Sequence, residues 1–253
     1  MTSKPPSQCC SVGVKFSGEP TGKSIKIANK WEGYLATPSP DKVHAGAGVL
    51  YLPDVIGVWQ NSKLMADQFA ANGYVCLVVD LFNGDPVKLN RPADFDFPGW
   101  LTKGSTGDNP HTVEAVEPIV EASIKTLKEE YGVTKLGSVG YCFGAKYTVR
   151  YLNGDDIKVG YLAHPSFVTE DELAAIKGPL SIAAAETDTI FPTEERHKSE
   201  EILKKTGQLY QINLFSGVAH GFSVRGNVDI KAEKFAKEQA FLQAVTWFDS
   251  WLL

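Results

Sequence analysis

The chain has 253 residues, with 43% hydrophobic residues, 22% charged residues and a net charge of −5. These values predict one large globular domain over residues 1–253, and the negative charge without a lysine or arginine run argues against nucleic-acid binding. No apolar stretch reaches membrane-span length, the first residues lack a signal-peptide core, and four scattered cysteines favour a reducing cytoplasmic location.

Strands and helices are predicted to alternate along the chain after an irregular arm over residues 1–20. The predicted strands are 23–28 and 33–37, read as an opening hairpin, then 48–52, 74–79, 133–139, 180–185 and 210–215. The predicted helices are 61–72, 113–131, 145–152, 193–205 and 230–251. The runs 48–52 and 74–79 are continuously apolar, which is typical of parallel strands buried on both faces. The alternation predicts an α/β fold with a mostly parallel, doubly wound sheet and helices on both faces.

Residues 82–111 interrupt this alternation with a long segment rich in Asn, Asp, Gly, Pro and aromatic side chains. A long excursion at the carboxyl edge of a sheet usually shapes a site. We predict a cap over the site described next, with Trp100 or Phe97 as a pocket wall. The alternative is a surface loop whose aromatic side chains pack against one another.

Residues 140–144, Gly-Tyr-Cys-Phe-Gly, follow the predicted strand 133–139. This is the G-x-S-x-G nucleophile elbow with Cys142 in the serine position. Glycines two residues before and after the nucleophile are required because Cβ atoms would clash with the neighbouring strand and helix. The N–H groups and dipole of the following helix favour a thiolate at Cys142.

Two further residues complete a catalytic triad in the expected chain order of nucleophile, acid and histidine. Asp188 follows the strand 180–185, and His220 follows the strand 210–215 in a glycine-rich loop. Glu186 is the other candidate for the acid of the triad. We prefer Asp188, because it directly precedes Thr-Ile-Phe-Pro (189–192), where the chain must turn away from the strand. All three triad residues follow strands, so we expect them at one edge of the sheet.

The other histidines are weaker candidates for the base. His164 ends a predicted strand but precedes the acid, so a pocket or structural contact is its predicted role. His44, His111 and His197 lie in polar sequence surroundings and are predicted to face solvent. Cys9 and Cys10 lack the spacing of metal ligands, so no metal is predicted, and burial near the first strand is expected for them.

Gly-Tyr-Cys-Phe-Gly-Ala (140–145), Asp-x-x-Phe-Pro (188–192) and Ala-His-Gly-Phe (219–222) together resemble the dienelactone hydrolase family. The resemblance covers residues 22–251. The opening Cys-Cys-x-x-Gly (9–13) and Phe-Asn-Gly-Asp-Pro (82–86) are especially similar to its eukaryotic, fungal-type branch. It implies an α/β-hydrolase fold and cofactor-free opening of ester bonds in enol lactones. It also implies that Cys142 is the nucleophile, His220 the base and Asp188 the residue that orients it.

The same resemblance assigns further roles around the nucleophile. The bacterial family has a glutamate that accepts the cysteine proton; Asp54 occupies that position here and is one methylene shorter. The backbone N–H groups of Val55 and Phe143 would form the oxyanion hole. Arg225, five residues after His220, resembles a substrate-binding arginine at a different offset. From the residues alone, Asp54 is equally a turn residue after a strand, and Arg225 a solvated loop arginine.

The predicted function is hydrolysis of a small ester or enol lactone through a thioester acyl-enzyme. The predicted partners are that small molecule alone, without nucleic acid or membrane, and the predicted assembly is a monomer or weak dimer. Two alternatives remain open at this point. One is a binding or redox-sensing protein with a thiol that does not turn over, and the other is a cysteine acyltransferase, thioesterase or peptidase.

Overall fold

The described residues form one eight-stranded sheet flanked by helices. The computed structural model describes residues 1–92 and 94–253. The strands are β1 (Lys23–Ile27), β2 (Trp31–Ala36), β3 (Ala47–Leu52), β4 (Val75–Val79), β5 (Lys135–Tyr141), β6 (Val159–Ala163), β7 (Leu180–Thr187) and β8 (Tyr210–Ala219). The helices are α1 (Gln60–Ala71), α2 (Phe97–Lys103), α3 (Val113–Glu129), α4 (Gly144–Tyr151), α5 (Glu170–Ala174), α6 (Thr193–Thr206), α7 (Phe222–Arg225) and α8 (Lys231–Trp251).

The strand order is β1-β2-β4-β3-β5-β6-β7-β8. Strands β1 and β2 form an antiparallel hairpin, β2 pairs with β4 in the antiparallel direction, and β3 through β8 run parallel to one another. The carboxyl ends of β3, β5, β7 and β8 therefore lie at the same edge of the sheet. In an open α/β sheet, this is the edge at which ligands bind.

Side chains from both faces of the sheet are buried. On β3, Leu50 and Leu52 join a core cluster with residues of α3, α4 and α6, whereas Val49 and Tyr51 join a second cluster with residues of α1 and α8. Burial on both faces explains why the sequence of this strand is continuously apolar. None of the helices in the described ranges is both long enough and apolar enough to span a membrane.

The last two strands run further than the sequence predicts. A bulge shifts the register between β7 and β8, and beyond it Thr187 pairs with Ala219. Asp188 and His220 are the next residues after this pair. The extension therefore delivers the two side chains to neighbouring positions, which the predicted strand ends at residues 185 and 215 do not explain.

The excursion at residues 82–111 contains the unpredicted helix α2. Asp96 caps it by accepting a hydrogen bond from the Gly99 N–H at 3.0 Å, as residues at helix starts commonly do. Trp100 is 3% exposed, and its ring centroid lies 5.1 Å from that of Phe82. The aromatic side chains thus pack against one another, and Phe82 in turn packs on Phe143 with centroids 5.1 Å apart. Ala93 of this excursion is outside the described residues.

One histidine prediction is wrong. His111 is 2% exposed rather than solvated, and its Nε2 lies 3.0 Å from Asp85 Oδ2. Its ring packs on Trp100 with centroids 4.4 Å apart. The polar neighbours of His111 in sequence face elsewhere, because the aromatic cluster of the excursion covers this side chain.

Residues 1–14, called the N-terminal strap below, cross the carboxyl edge of the sheet. They have no regular structure except a 3₁₀ helix at Gln8–Ser11, in agreement with the predicted irregular arm. Backbone hydrogen bonds nevertheless tie them to the loops after β4, β6, β7 and β8. These bonds join Thr2 N to Val168 O, Lys4 N to Ile190 O, Asn90 N to Ser11 O and Val14 N to Arg225 O, at 2.8–2.9 Å.

Candidate active site

Cys142 sits on the sharp turn between β5 and α4. Its φ of 50° is in the left-handed region, which non-glycine residues adopt rarely and mainly at functional sites. A Cβ on Gly144 would lie 2.0 Å from Leu52 O, and one on Gly140 would lie 2.6 Å from Ala145 Cα. The two glycines are therefore required for close approach of the turn to β3 and α4, as the motif predicts.

Asp188 and His220 form a hydrogen-bonded pair beside this turn. Asp188 Oδ2 lies 2.8 Å from His220 Nδ1, and Asp188 Oδ1 accepts hydrogen bonds from the N–H groups of Ile190 and Phe191. These contacts fix the carboxylate and leave Nε2 of the imidazole directed away from it. The rival acid, Glu186, is exposed and accepts a hydrogen bond from Gly217 N at 2.7 Å.

Cys10 of the strap lies beside both the predicted base and the predicted nucleophile, and the donor atoms of Cys10, Cys142 and His220 all lie within 4.8 Å of one another. Its Sγ is 3.4 Å from His220 Nε2 and 3.2 Å from Cys142 Sγ. Both cysteines have no exposed surface. Cys142 Sγ also lies 3.6 Å from Ser166 Oγ. In this structure, the imidazole nitrogen therefore contacts the sulfur of Cys10, and Cys10 contacts the sulfur of Cys142.

The electrostatics of this cluster favour a thiolate–imidazolium pair. Burial alone raises the pKa of Cys142, but the hydrogen bond with Cys10 and the positive charge of His220 outweigh it and hold this pKa well below its ordinary value. Burial likewise opposes the charge on His220, but the negative charges of Cys142 and Asp188 raise its pKa to about 10. Burial raises the pKa of Cys10 well above its ordinary value. The hydrogen bond between Cys142 Sγ and Cys10 Sγ thus joins a thiol whose pKa is lowered to one whose pKa is raised.

Asp54 and Arg225 form a second buried pair next to the sulfurs. Each side chain is 1% exposed, and Arg225 Nη1 donates to Asp54 Oδ2. The guanidinium also donates to the backbone oxygens of Cys9 and Val12, at 3.2 and 2.9 Å. Burial raises the pKa of Asp54 to about 6, although the charge of Arg225 opposes this. Arg225 is thus buried and paired with Asp54, which differs from the solvated loop arginine that the sequence alone allowed.

The backbone at the predicted oxyanion hole has unused donors. Gly144 N donates to Pro53 O at 3.1 Å, which holds the start of α4 against the turn that contains Val55. Within the described residues, neither Val55 N nor Phe143 N donates a hydrogen bond to the protein. Free N–H groups on adjoining turns are what an oxyanion hole requires. Their catalytic role stays a prediction.

Trp100, predicted as a substrate contact, lies outside this cluster. Its Nε1 donates to Asp85 O at 2.9 Å, and its ring is separated from Phe143 by Phe82. The structure therefore supports the alternative of local aromatic packing, with the excursion forming a wall behind the elbow. Contact between Trp100 and a substrate stays a prediction.

His164 takes the structural position that its place in the sequence predicts. Its Nε2 lies 2.7 Å from Ser223 Oγ, and its ring centroid is 5.0 Å from that of His220. Burial, and to a lesser degree the charges of His220 and Arg225, hold the pKa of His164 well below its ordinary value. This histidine is neutral and packs against the base.

Cys10 is the site residue that the sequence does not reveal. It is 132 residues from Cys142, and residues 1–20 carry no periodic pattern that would fix their path. The Cys9-Cys10 doublet was the available signal, because two adjacent thiols are uncommon in an irregular arm. Burial was expected for the doublet, but contact with the nucleophile was not.

A groove of about 600 Å³ opens beside His220. Its walls come from the strap, the end of β8 and α7, and include Cys9 and Arg225. Cys142 has no exposed surface. The groove therefore reaches the base but not the sulfur of the predicted nucleophile.

Comparison with known proteins identifies the family. Residues 31–252 match the model of the dienelactone hydrolase family. The chain is 47% identical to hydrolase tropI of Talaromyces stipitatus, over all of this chain and 99% of that one. It is 38% identical to dienlactone hydrolase 1 of Gibberella moniliformis, over 98% of this chain and 95% of that one.

Solved structures agree with the fold. A putative dienelactone hydrolase from Klebsiella pneumoniae superposes with a TM-score of 0.73 at 14% identity, over 91% of this chain and 99% of that chain. A dienelactone hydrolase from Anabaena variabilis superposes with a TM-score of 0.66 at 12% identity, over 93% of this chain and 99% of that chain. With these matches and the elbow at the carboxyl edge of its sheet, the chain belongs to the dienelactone hydrolase family and is a hydrolase of the α/β-hydrolase fold.

Proposed function

We propose that the protein hydrolyses small carboxylic esters or enol lactones with Cys142 as nucleophile, His220 as base and Asp188 as the residue that orients His220. The observation that carries this proposal is the 2.8 Å hydrogen bond between Asp188 and His220, beside the elbow that carries Cys142. A nucleophile, a base and an acid that orients the base form the usual arrangement for covalent catalysis.

The reaction proceeds through a thioester. The Cys142 thiolate attacks the carbonyl carbon, and the resulting oxyanion is bound by the N–H groups of Val55 and Phe143. Collapse of the tetrahedral intermediate breaks the ester bond, and His220 gives its proton to the leaving oxygen. The neutral imidazole then takes a proton from water, which attacks the thioester and frees Cys142.

The leaving group limits the substrate class. A thiolate leaves a tetrahedral intermediate more readily than an amide nitrogen does, so an intermediate formed from a peptide would mostly revert. Enolates and phenolates leave readily. This difference favours enol lactones and aryl esters as substrates, and it disfavours a peptidase.

The buried Asp54–Arg225 pair gives the site a charge preference. A substrate carboxylate can exchange with Asp54 as the partner of Arg225. Asp54, whose pKa burial raises to about 6 even beside Arg225, can carry a proton once it is displaced. Anionic lactones are therefore the preferred substrates of this proposal. Because Cys142 is covered, productive binding also requires the strap to withdraw Cys10 from the sulfur.

The proposal is tested by replacing the nucleophile. Cys142→Ala should lower the hydrolysis of p-nitrophenyl acetate by on the order of 10⁴-fold or more, because Cys10, the other thiol beside His220, lies on the strap rather than on the elbow and has a raised pKa. Cys76→Ala, which removes a buried thiol from β4 in the other core cluster, should retain activity. Mass spectrometry of the wild-type protein quenched during turnover should find the acyl group on Cys142.

Undiminished turnover by Cys142→Ala would refute the assignment. Acyl transfer to an added alcohol or amine faster than hydrolysis would instead favour an acyltransferase. A wild-type protein that alkylates at Cys142 but turns over no ester would favour a thiol that senses or binds.

A further inference from the structure

We propose that Cys10 and Cys142 form a peroxide-reactive modification site, in which Cys142 is oxidised and Cys10 closes a disulfide onto it. The two sulfur atoms are 3.2 Å apart, which is roughly 1 Å longer than a disulfide bond. This inference goes beyond ester hydrolysis, and it shares with the proposed function only the reactive thiolate of Cys142.

Arg225 holds the strap in place on both sides of Cys10. Arg225 donates hydrogen bonds to the backbone oxygens of Cys9 and Val12, which flank Cys10 in the chain. Cys10 itself lies in the short 3₁₀ helix and is fully buried. Its thiol is therefore held against Cys142 rather than meeting it by chance.

The other cysteines are poorer partners. Cys9 is adjacent to Cys10, and with no cis peptide among the described residues their Cα atoms are about 3.8 Å apart. Disulfides usually require a Cα separation of about 4.4–6.8 Å, so a Cys9–Cys10 bond is disfavoured. Cys76 belongs to the core cluster on the opposite face of the sheet from Cys10 and Cys142.

The distance between the two sulfur atoms fits a disulfide site better than a metal site. In the described part of the chain, Cys10, Cys142 and His220 are the one group of three possible ligands, with donor atoms within 4.8 Å of one another. Two thiolates that share a tetrahedral zinc ion lie about 3.8 Å apart, given zinc–sulfur bonds of about 2.3 Å. The observed 3.2 Å between the sulfurs is shorter, which is a direct contact between a thiol and a thiolate.

The chemistry balances with a hydroperoxide as the oxidant. The Cys142 thiolate attacks hydrogen peroxide, which breaks the O–O bond, forms a sulfenic acid and releases hydroxide that takes the His220 proton to become water. The Cys10 sulfur then attacks the sulfenic sulfur, and the Cys10 proton leaves with the hydroxyl group as a second water. Each sulfur gives up one electron, and the peroxide accepts both.

The disulfide would have two effects on the site. It removes the nucleophile, and it fixes the strap over the elbow, so hydrolysis stops. It also protects Cys142 from further oxidation to sulfinic acid, which is irreversible in most proteins. A dithiol such as dithiothreitol restores both thiols by exchange and becomes a cyclic disulfide.

The test is disulfide mapping of the full chain after treatment with hydrogen peroxide. Non-reducing peptide mass spectrometry should find the Cys10 peptide joined to the Cys142 peptide, about 2 Da lighter than the sum of the two. Dithiothreitol should separate them. The ester-hydrolysing activity of the same sample should fall by at least tenfold after peroxide treatment and return after reduction.

Matched cysteine variants decide the role of each thiol. Cys10→Ser should carry sulfinic acid on Cys142 after peroxide and show no recovery with dithiothreitol. Cys9→Ser and Cys76→Ala should still form the Cys10–Cys142 cross-link. A cross-link between Cys142 and Cys9, or sulfinic acid on Cys142 without a cross-link in the wild-type protein, would overturn the proposal. A cross-link in a protein that hydrolyses no ester would refute the proposed function and leave the disulfide site intact.

Discussion

Glu186 lies near the end of β7 and Asp188 directly follows that strand, but the contacts of their side chains differ. Asp188 touches His220, whereas Glu186 touches a backbone N–H of β8. We expect Asp188→Asn to lower kcat/KM by about 10²–10⁴-fold, because the amide neither fixes the imidazole tautomer nor stabilises the imidazolium. Glu186→Gln is the matched control and should stay within about twofold of wild type. Equal losses in both variants, measured on an aryl ester, would contradict the assignment of the acid.

The carboxylate of Asp54 places a negative charge near the sulfur of Cys142. Asp54→Asn should shift the alkylation of Cys142 to lower pH, because a repelling charge is removed and Arg225 is left to attract the thiolate. The measurement is the pH dependence of the iodoacetamide rate, followed at Cys142 by mass spectrometry. Asp85→Asn, which changes a carboxylate of the excursion, is the control. An unchanged profile in Asp54→Asn would make Asp54 a turn residue.

The pKa of His220 predicts the alkaline limb of the pH profile. Since this pKa is raised to about 10, the imidazolium that protonates the leaving group persists at neutral pH. We expect kcat/KM, corrected for spontaneous hydrolysis, to stay level through pH 8 and to fall as the pH rises through about 10. A fall centred near pH 7 would show that the base has the pKa of an ordinary histidine.

The placement of Cys142, Asp188 and His220 at one edge of the sheet could be predicted from sequence, whereas the position of Cys10 next to Cys142 could not. Cys142, Asp188 and His220 each follow an apolar strand, and parallel strands bring such residues to one edge. Cys10 follows no strand. Its position depends on backbone contacts with loops more than 75 residues away, and no local pattern encodes these contacts.

At the scale of elements, the turn between β5 and α4 depends on the absence of a side chain at Gly144. Gly144→Ala would place a Cβ 2.0 Å from the Leu52 oxygen, so the turn must move away from β3. We expect a loss of about 2 kcal/mol or more in the free energy of unfolding and a loss of activity. Thermal or urea unfolding measures the first effect.

Gly154→Ala is the matched control for this turn. The nearest atom to an added Cβ there is Tyr151 O at 3.7 Å, which is an ordinary contact. Its stability should change by less than about 1 kcal/mol. A Gly144→Ala protein as stable and active as Gly154→Ala would show that the turn tolerates a side chain.

Sequence patterns predicted the buried elements better than the exposed ones. The apolar runs of β3 and β4 reveal strands that are covered on both faces. The ends of β7 and β8 could not be located, because Ser216 and Gly217 favour a loop, and only pairing beyond a bulge extends the strand to Ala219. Helix α2 was missed because it is short and depends on the cap at Asp96 and on aromatic packing.

At the scale of the whole molecule, the strap controls access to the sulfur. Asn90 anchors it through two hydrogen bonds with Gly13, each 3.0 Å long. Asn90→Gly tolerates the positive φ of this position, 52°, but removes both bonds. We expect Cys142 to react severalfold faster with a bulky maleimide, because the strap opens more often.

Asn83→Gly is the control for this prediction. Asn83 has a similar φ of 50° and is also exposed, but its side chain contacts Asn109 rather than the strap. Its alkylation rate should equal that of the wild type. Equal rates in all three proteins would show that the strap does not limit access.

The contacts of the strap also fix when the site can close during synthesis. A ribosome makes the chain in the direction from the amino end to the carboxyl end, but the strap residues Cys9, Val12 and Val14 bind Arg225, which follows Cys9 by 216 residues. The strap therefore leaves the ribosome well before Arg225 and takes its final position only after Arg225 has been made. Until then, the elbow of β5 and α4 can form with its sulfur uncovered. The nascent protein thus passes through a stage in which the sulfur of Cys142 is more accessible than in the finished fold.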